Sequence, residues 1–371
     1  MGACHPPPIV VSRTPPPIDS VWPSFLEQLS LCPLSVWFTR KAIPTGRLRP
    51  SGPAAIVGKA VHRCIELMVT NEALNLKNCW ESACDEISLT DGDPRELPNA
   101  NRSYLRLEKK YPQLEELIRD RLKGGDLIPE ESLTAHNGLL RGQPDLIING
   151  PAATLIDYKS GSVIENGIVQ PKYENQLLFY AYLIQKSISL DVNEAWLFSL
   201  IDGLIKVDVS VDKRDAYIEK GKRSILSFNE NLPKAPSGCP SKNACKWCTH
   251  INTCDVVWES LDNNEIKDFD SYHMVEGVIT NAPERTNNGK STVSISVNRG
   301  TASGEIVISS IPRNLAETIQ TDSKYGSLAS KKNPEEWLLS HGKTEPARSQ
   351  SKIRFHNLRA QPVPPAVLPA Q

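Results

Sequence analysis

The sequence predicts an α/β core, in which helices flank a mixed sheet, followed by a small β domain. Helical periodicity covers most of residues 58–123, and three strand-like segments follow between residues 127 and 159. An apolar helix at residues 173–187 then precedes two further strands. Because the order is helix, three strands, helix and strand, a mixed sheet is favoured over a repeating βαβ winding.

The predicted helices begin and end at recognisable signals. Ser24 and Glu27 form a capping-box pattern, which opens a short helix that ends near Cys32-Pro33. Pro112 is expected to break the longest helix, and Gly124-Gly125 is expected to close it. The predicted helices cover residues 24–32, 58–71, 74–88, 99–123, 173–187 and 214–229.

Turn residues separate the predicted strands of the core. Asn137-Gly138 and Asn149-Gly150-Pro151 connect the first three strands, and Asp202-Gly203 connects the last two. A hairpin therefore brings side chains of the second and third strands together. The predicted strands cover residues 127–136, 139–148, 153–159, 194–201 and 204–209.

Changes in composition divide the 371 residues into segments. Residues 1–18 hold six prolines and predict a disordered lead-in, and residues 19–262 form the α/β domain. Residues 271–360 form the small β domain, either a five-stranded OB-like barrel that binds single-stranded nucleic acid or an unspecialised β module. Residues 361–371 predict a disordered tail. Strand-like alternation in the β domain covers residues 275–280, 291–299, 304–310 and 353–358.

The charge pattern gives only a local indication of a partner. The net charge is −1, from 42 basic and 43 acidic residues, so no overall field indicates nucleic acid. Residues 40–63 contain six basic side chains and no acidic one, which predicts either a phosphate-facing stretch or a solvated loop. Since no apolar segment approaches membrane-spanning length and no signal peptide is found, we expect a cytoplasmic chain without a membrane partner.

Two acidic residues and a lysine form the first candidate site. Asp145 and Asp157 lie on neighbouring predicted strands, and Lys159 shares a strand face with Asp157. Two carboxylates in a protein interior repel each other unless a cation joins them, and Mg²⁺ binds carboxylate oxygens while it keeps several waters. A lone Asp-x-Lys is more often a surface ion pair, but the apolar flanks at 146–148 and 155–156 favour a buried site.

Two helices carry further polar pairs. His62 and Glu66 are four residues apart and share a helix face, and so do Gln176 and Tyr180. Taken alone, a helical histidine is more often a structural hydrogen-bonding residue. A glutamine and a tyrosine on an apolar helix belong more often to the core.

A cysteine cluster follows the last predicted helix of the core. Nine cysteines occur in the chain, and four of them form the pattern C-x5-C-x2-C-x5-C. Because thiols stay reduced in the cytoplasm, this pattern predicts metal ligands rather than disulfides. A compact set of four thiolates suits either zinc or an iron–sulfur cluster. The four residues are Cys239, Cys245, Cys248 and Cys254.

Several segments, in their order along the chain, resemble the motifs of the PD-(D/E)XK nuclease superfamily in its RecB-like branch. They are Gly58-Lys-Ala-Val-His62, Gly142-Gln-Pro-Asp145, Asp157-Tyr-Lys159 and Gln176-Leu-Leu-Phe-Tyr180. The chain is most similar to the iron–sulfur group, which includes the CRISPR-associated RecB-like exonucleases and the AddB nuclease domain. In that group one cysteine precedes the nuclease core and C-x2-C-x5-C follows it, as Cys32 and residues 245–254 do here. The resemblance covers roughly residues 20–258.

The resemblance implies a restriction-endonuclease-like core and a role for each matched residue. Asp145 and Asp157 would be the main ligands of Mg²⁺ or Mn²⁺, His62 would be an additional ligand, and Lys159 would be the catalytic lysine. The residues that position the substrate would be Gln176 and Tyr180.

The same resemblance implies a structural 4Fe–4S cluster. Its ligands would be Cys32, Cys245, Cys248 and Cys254. Such a cluster would close a loop of more than two hundred residues, whose ordering is otherwise costly in entropy. Cys239 is the alternative ligand, and it would give a compact zinc site instead.

We therefore expect a metal-dependent deoxyribonuclease, in particular an exonuclease that acts on single-stranded ends. The chain contains no G-x-x-x-x-G-K-[ST] motif, so a helicase or recombination protein would be a separate partner. Two alternatives stay open. The chain could be a non-cleaving DNA-binding or assembly subunit of a helicase–nuclease or defence complex, or a zinc-dependent nucleic-acid-binding protein.

Overall fold

A computed structural model describes most of the chain and divides it into two compact units. Residues 1–30 and 39–235 form the first unit, and residues 31–38 and 236–371 form the second. Of the predicted lead-in at residues 1–18, residues 1–13 lie outside the described residues, and of the predicted tail at residues 361–371, residues 363–371 do. Described are residues 14–42, 52–71, 75–245, 248, 250–251, 254–266, 273–279, 284–285, 291–301, 303–311, 338–339, 342–346, 353–358 and 360–362.

The helices are α1 Pro23–Leu31, α2 Pro33–Ala42, α3 Pro53–Thr70, α4 Leu76–Ser88, α5 Ala100–Leu122, α6 Pro171–Ile188, α7 Val211–Glu230, α8 Lys242–Cys245 and α9 Asp255–Asp262. The strands of the first unit are β1 Asp126–Pro129, β2 Leu133–Ala135, β3 Leu140–Gly142, β4 Leu146–Asn149, β5 Thr154–Lys159, β6 Ile164–Glu165, β7 Ile168–Val169, β8 Glu194–Ser199 and β9 Gly203–Val207. None of the helices in the described part of the chain combines the length and apolar composition of a membrane span.

Residues at the N-termini of three helices explain where these helices begin. Proline occupies the start of α3 and of α6, where a missing N–H is not needed for an intrahelical bond. The side chain of Asn75 caps α4 by accepting a hydrogen bond from the backbone N–H of Asn78 at 3.0 Å.

The predicted break at Pro112 is wrong, because α5 continues through that residue. An interior proline costs a helix about 3 kcal/mol. The buried side chains of Leu107, Tyr111 and Leu114 surround Pro112 in the sequence and pack into the hydrophobic core. We infer that this tertiary packing offsets the lost backbone hydrogen bond.

A five-stranded mixed sheet forms the centre of the first unit and confirms the predicted fold class. Its order is β1-β4-β5-β8-β9, with β5 and β8 parallel and the other neighbours antiparallel. Helices α3, α4 and α5 pack on one face, where Ile156 and Tyr158 of β5 join their core. The alternate residues Leu155 and Asp157 are also buried, and α6 contacts β5 and β8.

The predicted strands at residues 127–136 and 139–148 are each interrupted. The structure divides them into β1 and β2, and into β3 and β4, so that β1 pairs with β4 and β2 pairs with β3. Glu130 adopts a left-handed conformation with φ of 48°, and Pro144 has no N–H for the ladder. Asp145 consequently lies just before β4, whereas the sequence analysis placed it inside a strand.

Glu194 connects α5, β8 and β9, and it gives a testable pH dependence. Its carboxylate accepts from Lys206 Nζ and from Arg121 Nε, each at 2.7 Å, and these hydrogen bonds lower the pKa of Glu194 to about 2. Because the pKa is lower in the folded state, the ionised carboxylate stabilises the fold at pH values above the ordinary pKa of a glutamate. This contribution is lost as the pH falls toward the lowered pKa.

We expect Glu194→Gln to reduce the free energy of unfolding by about 1 kcal/mol at pH 7, a magnitude limited by solvent screening. The difference from the wild type should shrink between pH 4.5 and 2. Urea titrations at pH 7 and at pH 3 measure it, with the exposed Glu116→Gln on α5 as the control. An equal difference at both pH values would contradict the ion-pair account.

The second unit contains an antiparallel sheet of short and long strands. Its strands are β10 His273–Ile279, β11 Glu284–Arg285, β12 Ser291–Gly300, β13 Gly304–Ile311, β14 Leu338–Leu339, β15 Gly342–Pro346, β16 Ile353–Leu358 and β17 Ala360–Pro362. The predicted strands of the β domain correspond to β10, β12, β13 and β16 within a few residues at each end. In the described residues the pairing order is β14-β15-β16-β10-β12-β13-β17, with β11 beside β12.

Candidate active site and cysteine centre

Five polar side chains from separate elements converge beside the first unit's sheet. His62 extends from α3, Asp157 and Lys159 extend from β5, and Asp145 and Glu130 lie at the interruptions of the β1–β4 hairpin. The electrostatic influence of Asp145 reaches each of the other four, which places them in one cluster. The structure therefore brings together the predicted catalytic residues and adds one more.

Asp145 is held by two hydrogen-bonding groups. Its Oδ1 lies 3.2 Å from His62 Nδ1, and its Oδ2 accepts the backbone N–H of Tyr158 at 2.5 Å. Burial raises the pKa of Asp145, but His62, the charge of Lys159 and the Tyr158 N–H outweigh burial, so the pKa lies below its ordinary value. For the same reason Asp145 outweighs the effect of burial on His62 and raises the pKa of the imidazole. Asp145 is thus ionised and fixed in orientation.

Asp157 and Lys159 extend from the same face of β5 and form an ion pair between Oδ2 and Nζ. Asp157 is 1% exposed, and no hydrogen-bond donor among the described residues contacts its Oδ1. Burial and the charge of Asp145 raise the pKa of Asp157 to about 6, against the lowering effect of Lys159. A buried carboxylate oxygen without a donor fits a site that a cation completes.

Glu130 is the site residue that sequence reasoning missed. Its left-handed backbone ends β1, and its N–H donates to the Asp145 carbonyl at 3.3 Å. Burial, followed by the charge of Asp145, raises the pKa of Glu130 to about 7. The sequence does show an acidic residue directly after Pro129, where a strand can end. Because residues 127–136 were assigned to one continuous strand, Glu130 was not recognised as a site residue.

The geometry allows a divalent cation to bind. Ligand atoms of His62, Glu130 and Asp145 all lie within 4.8 Å of one another. Two carboxylates and one imidazole suit Mg²⁺ or Mn²⁺. Burial and, to a smaller extent, the charge of Asp145 raise the pKa values of Glu130 and Asp157, and a cation there would favour the ionised form of both carboxylates. Asp157, for which the resemblance implies a role as a main ligand, is not part of this group of three.

Gln176 and Tyr180 lie one turn apart on α6. Gln176 Nε2 donates to the Tyr180 hydroxyl at 3.4 Å. Burial and, to a smaller extent, the charge of Asp157 raise the pKa of Tyr180. Tyr180 also packs closely over Gly142, where an added Cβ would lie 2.7 Å from the ring. Both residues line a groove of 740 Å³.

Three basic side chains of the run at residues 40–63 have partners within the fold. Arg40 donates to the Pro16 carbonyl at 2.9 Å, Lys59 pairs with Asp91, and Arg63 pairs with Glu86 and Glu66. Each of these three side chains therefore binds a carbonyl or carboxylate group of the same chain. Arg47 and Arg49 lie outside the described residues.

The predicted cluster ligands meet within the second unit. Cys32, Cys245, Cys248 and Cys254 line one small cavity, although Cys32 is distant in sequence. Ser35 Oγ lies 3.5 Å from Cys248 Sγ. Burial raises the pKa of Cys245 to about 12, so this thiol would ionise only against a bound cation. Cys239 lines the same cavity but is exposed.

The thiol groups of these four cysteines are not arranged as closely as the ligands of one zinc ion. In a tetrahedral zinc site, Zn–S bonds of about 2.3 Å put the sulfurs about 3.8 Å apart. Among the described residues, no three of these cysteines have Sγ atoms within 4.8 Å of one another. As a donor set, four thiols suit either zinc or an iron–sulfur cluster.

Comparisons with known proteins identify the family. A sequence model of the PD-(D/E)XK nuclease superfamily matches residues 21–255. Two crystal structures resemble the chain at low similarity: a "Putative exonuclease" from Eubacterium rectale (11% identity, 63% of this chain and 88% of that chain, TM-score 0.40) and SSO0001 (14% identity, 63% and 95%, TM-score 0.27). No curated protein sequence matches the chain. Because the family model covers more than half of its residues, the chain belongs to the PD-(D/E)XK nuclease superfamily.

Proposed function

We propose that this chain is a Mg²⁺- or Mn²⁺-dependent deoxyribonuclease of the RecB-like branch that degrades single-stranded DNA from its ends. The observation that carries the proposal is the cluster in which His62, Glu130 and Asp145 face the Asp157–Lys159 pair. These residues have the composition and burial that hydrolysis of a phosphodiester requires.

His62, Glu130 and Asp145 would hold the divalent ion, with the donor-free Oδ1 of Asp157 beside them. When bound, the ion would stabilise charge on the scissile phosphate and lower the pKa of a coordinated water. His62 fixes one oxygen of Asp145 and the Tyr158 N–H fixes the other, so the carboxylate is preorganised.

Lys159 acts as a positive charge and not as a proton acceptor. Burial lowers its pKa, but the charges of Asp157 and Asp145 outweigh burial and raise the pKa above its ordinary value. The ammonium is therefore protonated at neutral pH. It can orient the attacking water and stabilise the additional negative charge of the transition state. Gln176 and Tyr180, at the edge of the groove, would position the substrate strand.

The structural cofactor in this proposal is a 4Fe–4S cluster held by Cys32, Cys245, Cys248 and Cys254. The presence of Cys32 in the same cavity as the three later cysteines supports the cluster over a compact zinc site. Cys239 is the replacement ligand in the zinc alternative. The cluster would join residues 31–38 to residues 236–262 within the second unit.

Two other functions are less well supported. A non-cleaving assembly subunit would not need the complete set of Asp145, Asp157 and Lys159. In a zinc-dependent nucleic-acid-binding protein, the same three residues would have no role. Since the sequence carries no P-loop motif, any helicase in the pathway, whether repair or antiviral defence, would be a partner protein.

Linear and circular single strands of the same sequence test the mode of cleavage. We expect the linear strand to be shortened progressively in Mg²⁺ or Mn²⁺ and the circle to resist, because an exonuclease needs an end. Strands labelled at the 5′ or the 3′ end then give the polarity on denaturing gels. Opening of the circle at the rate of linear digestion would show an endonuclease instead.

A further inference from the structure

The 740 Å³ groove beside the active site carries features that the catalytic residues do not use. It lies entirely within the first unit, between the start of α1, the β2–β3 hairpin and the first half of α6. Its volume falls in the range of about 300–1,000 Å³ that is usual for ligand sites. The groove is lined by Trp22, Pro23, Ser24, Glu27, residues 132–134 and 141–143, Lys172, Tyr173, Gln176 and Tyr180.

Two aromatic residues give the groove flat apolar surfaces. Trp22 is 50% exposed, although its ring is large and apolar, and it leans on Phe25 with ring centroids 5.2 Å apart. Tyr173 is a neighbour of the candidate active site, because its ring centroid lies 5.6 Å from Lys159 Nζ. Unstacked bases bind to such surfaces, whereas bases inside a duplex are already stacked on one another.

Two cations in the groove are available to phosphate groups. In the part of the chain that the structure describes, no carboxylate pairs with the side chain of Arg141 or of Lys172. Arg141 is exposed, and its Nε donates to the Gly138 carbonyl at 2.9 Å, which orients the guanidinium. Lys172 Nζ lies 4.6 Å from the Tyr173 ring centroid. The groove also contains the carboxylate of Glu27, which accepts from Asn175 at 2.8 Å and could accept from a base amino group.

We propose that this groove binds the single strand next to the scissile phosphodiester, with Trp22 stacking on a base and with Arg141 and Lys172 contacting phosphates. Proteins bind single-stranded nucleic acid through aromatic side chains that stack on the bases and through cations that contact the phosphates, and the groove has both. The inference rests on the proposed function and specifies where its substrate lies. Tyr173 lines the groove and its ring centroid lies 5.6 Å from Lys159 Nζ, so a strand in the groove leads to the active site.

Binding measurements in EDTA, where cleavage does not proceed, test this site apart from catalysis. The probes are a labelled single-stranded 15-mer and the corresponding duplex, measured by fluorescence anisotropy. We expect Trp22→Ala to weaken single-strand binding about tenfold or more and Trp22→Phe to retain most of it, because stacking needs only an aromatic face. Duplex affinity should change little.

The salt dependence separates stacking from phosphate contact. Arg141→Ala should lower the slope of log K against log salt by about 0.7, the value for one phosphate of a single strand. Trp22→Ala should leave that slope unchanged. Arg119→Ala, an exposed arginine of α5 outside the groove, is the matched control and should leave both slope and affinity unchanged.

The outcomes are distinct from those of the cleavage assays. Loss of single-strand affinity in Trp22→Ala, with Trp22→Phe and the melting temperature near wild type, supports the groove even if no cleavage is found. Unchanged affinity in Trp22→Ala, or an equal loss for single strand and duplex, would overturn the proposal. The Trp22 carbonyl that accepts the Phe25 and Leu26 N–H groups is retained in both variants, so α1 should still form.

Discussion

Asp157→Asn should reduce the rate of DNA cleavage about a thousandfold or more, which is the loss expected when a preorganised charge is removed from a transition state. The variant should fold, because asparagine has nearly the same shape and removes a buried carboxylate whose pKa is raised to about 6. Lys159 would still be attracted by Asp145. We therefore expect a melting temperature no lower than that of the wild type in the absence of metal.

Lys159→Ala and Asp145→Asn should cause losses of similar size. DNA binding should persist in each variant, and it should tighten where a carboxylate is removed, because repulsion of the phosphate falls. Initial rates in Mg²⁺ and in Mn²⁺ measure the effect, with the exposed Glu131→Gln as the control. Cleavage by Asp157→Asn at the wild-type rate in Mg²⁺ would refute its catalytic role.

Serine at Cys32, Cys245, Cys248 or Cys254 should remove the metal centre and destabilise the second unit. Anaerobically purified wild type should be brown and contain about four iron atoms per chain, and each variant should lose both the colour and the iron. By the chain-entropy argument, closing a loop of more than two hundred residues contributes about 5 kcal/mol. Limited proteolysis should consequently cut each variant between residues 236 and 262.

Cys239→Ser is the matched control for the metal centre, because Cys239 lines the same cavity but is exposed. This variant should keep its iron and its resistance to protease. A colourless wild type that contains one zinc, depends on Cys239 and is indifferent to Cys32 would reverse the assignment. Visible absorption spectra and metal analysis decide between the two.

The sequence predicted those parts of the fold that local pattern determines. Apolar periodicity placed α3, α6 and α7 and the strands β5, β8 and β9 within a few residues. The mixed sheet followed from the order of these elements. Pro112 was misread because local propensity predicts a break, whereas the packing of the residues around it into a tertiary core keeps α5 continuous.

The candidate site was only partly predictable for a similar reason. Asp157 and Lys159 could be placed on one strand face because their spacing fixes their relation. The interruption of the hairpin depends on the left-handed Glu130 and on Pro144, which precedes the residue opposite Glu130. This arrangement appears only when β1 and β4 are aligned. Glu130 therefore escaped notice, and Asp145 was placed inside a strand. Similarly, Gly150 was recognised as a turn residue, but not its close approach to the Arg121 carbonyl.

Manganese binding to the purified chain tests the central claim most directly. We propose that the ion binds to His62, Glu130 and Asp145. We expect calorimetric titration to show a saturable Mn²⁺ site in the wild type that Asp145→Asn or Glu130→Gln weakens about tenfold or more, as the loss of a supporting ligand does elsewhere. Glu131→Gln should bind like the wild type. Equal Mn²⁺ affinity in all four proteins would contradict the proposed metal site and the nuclease mechanism built on it.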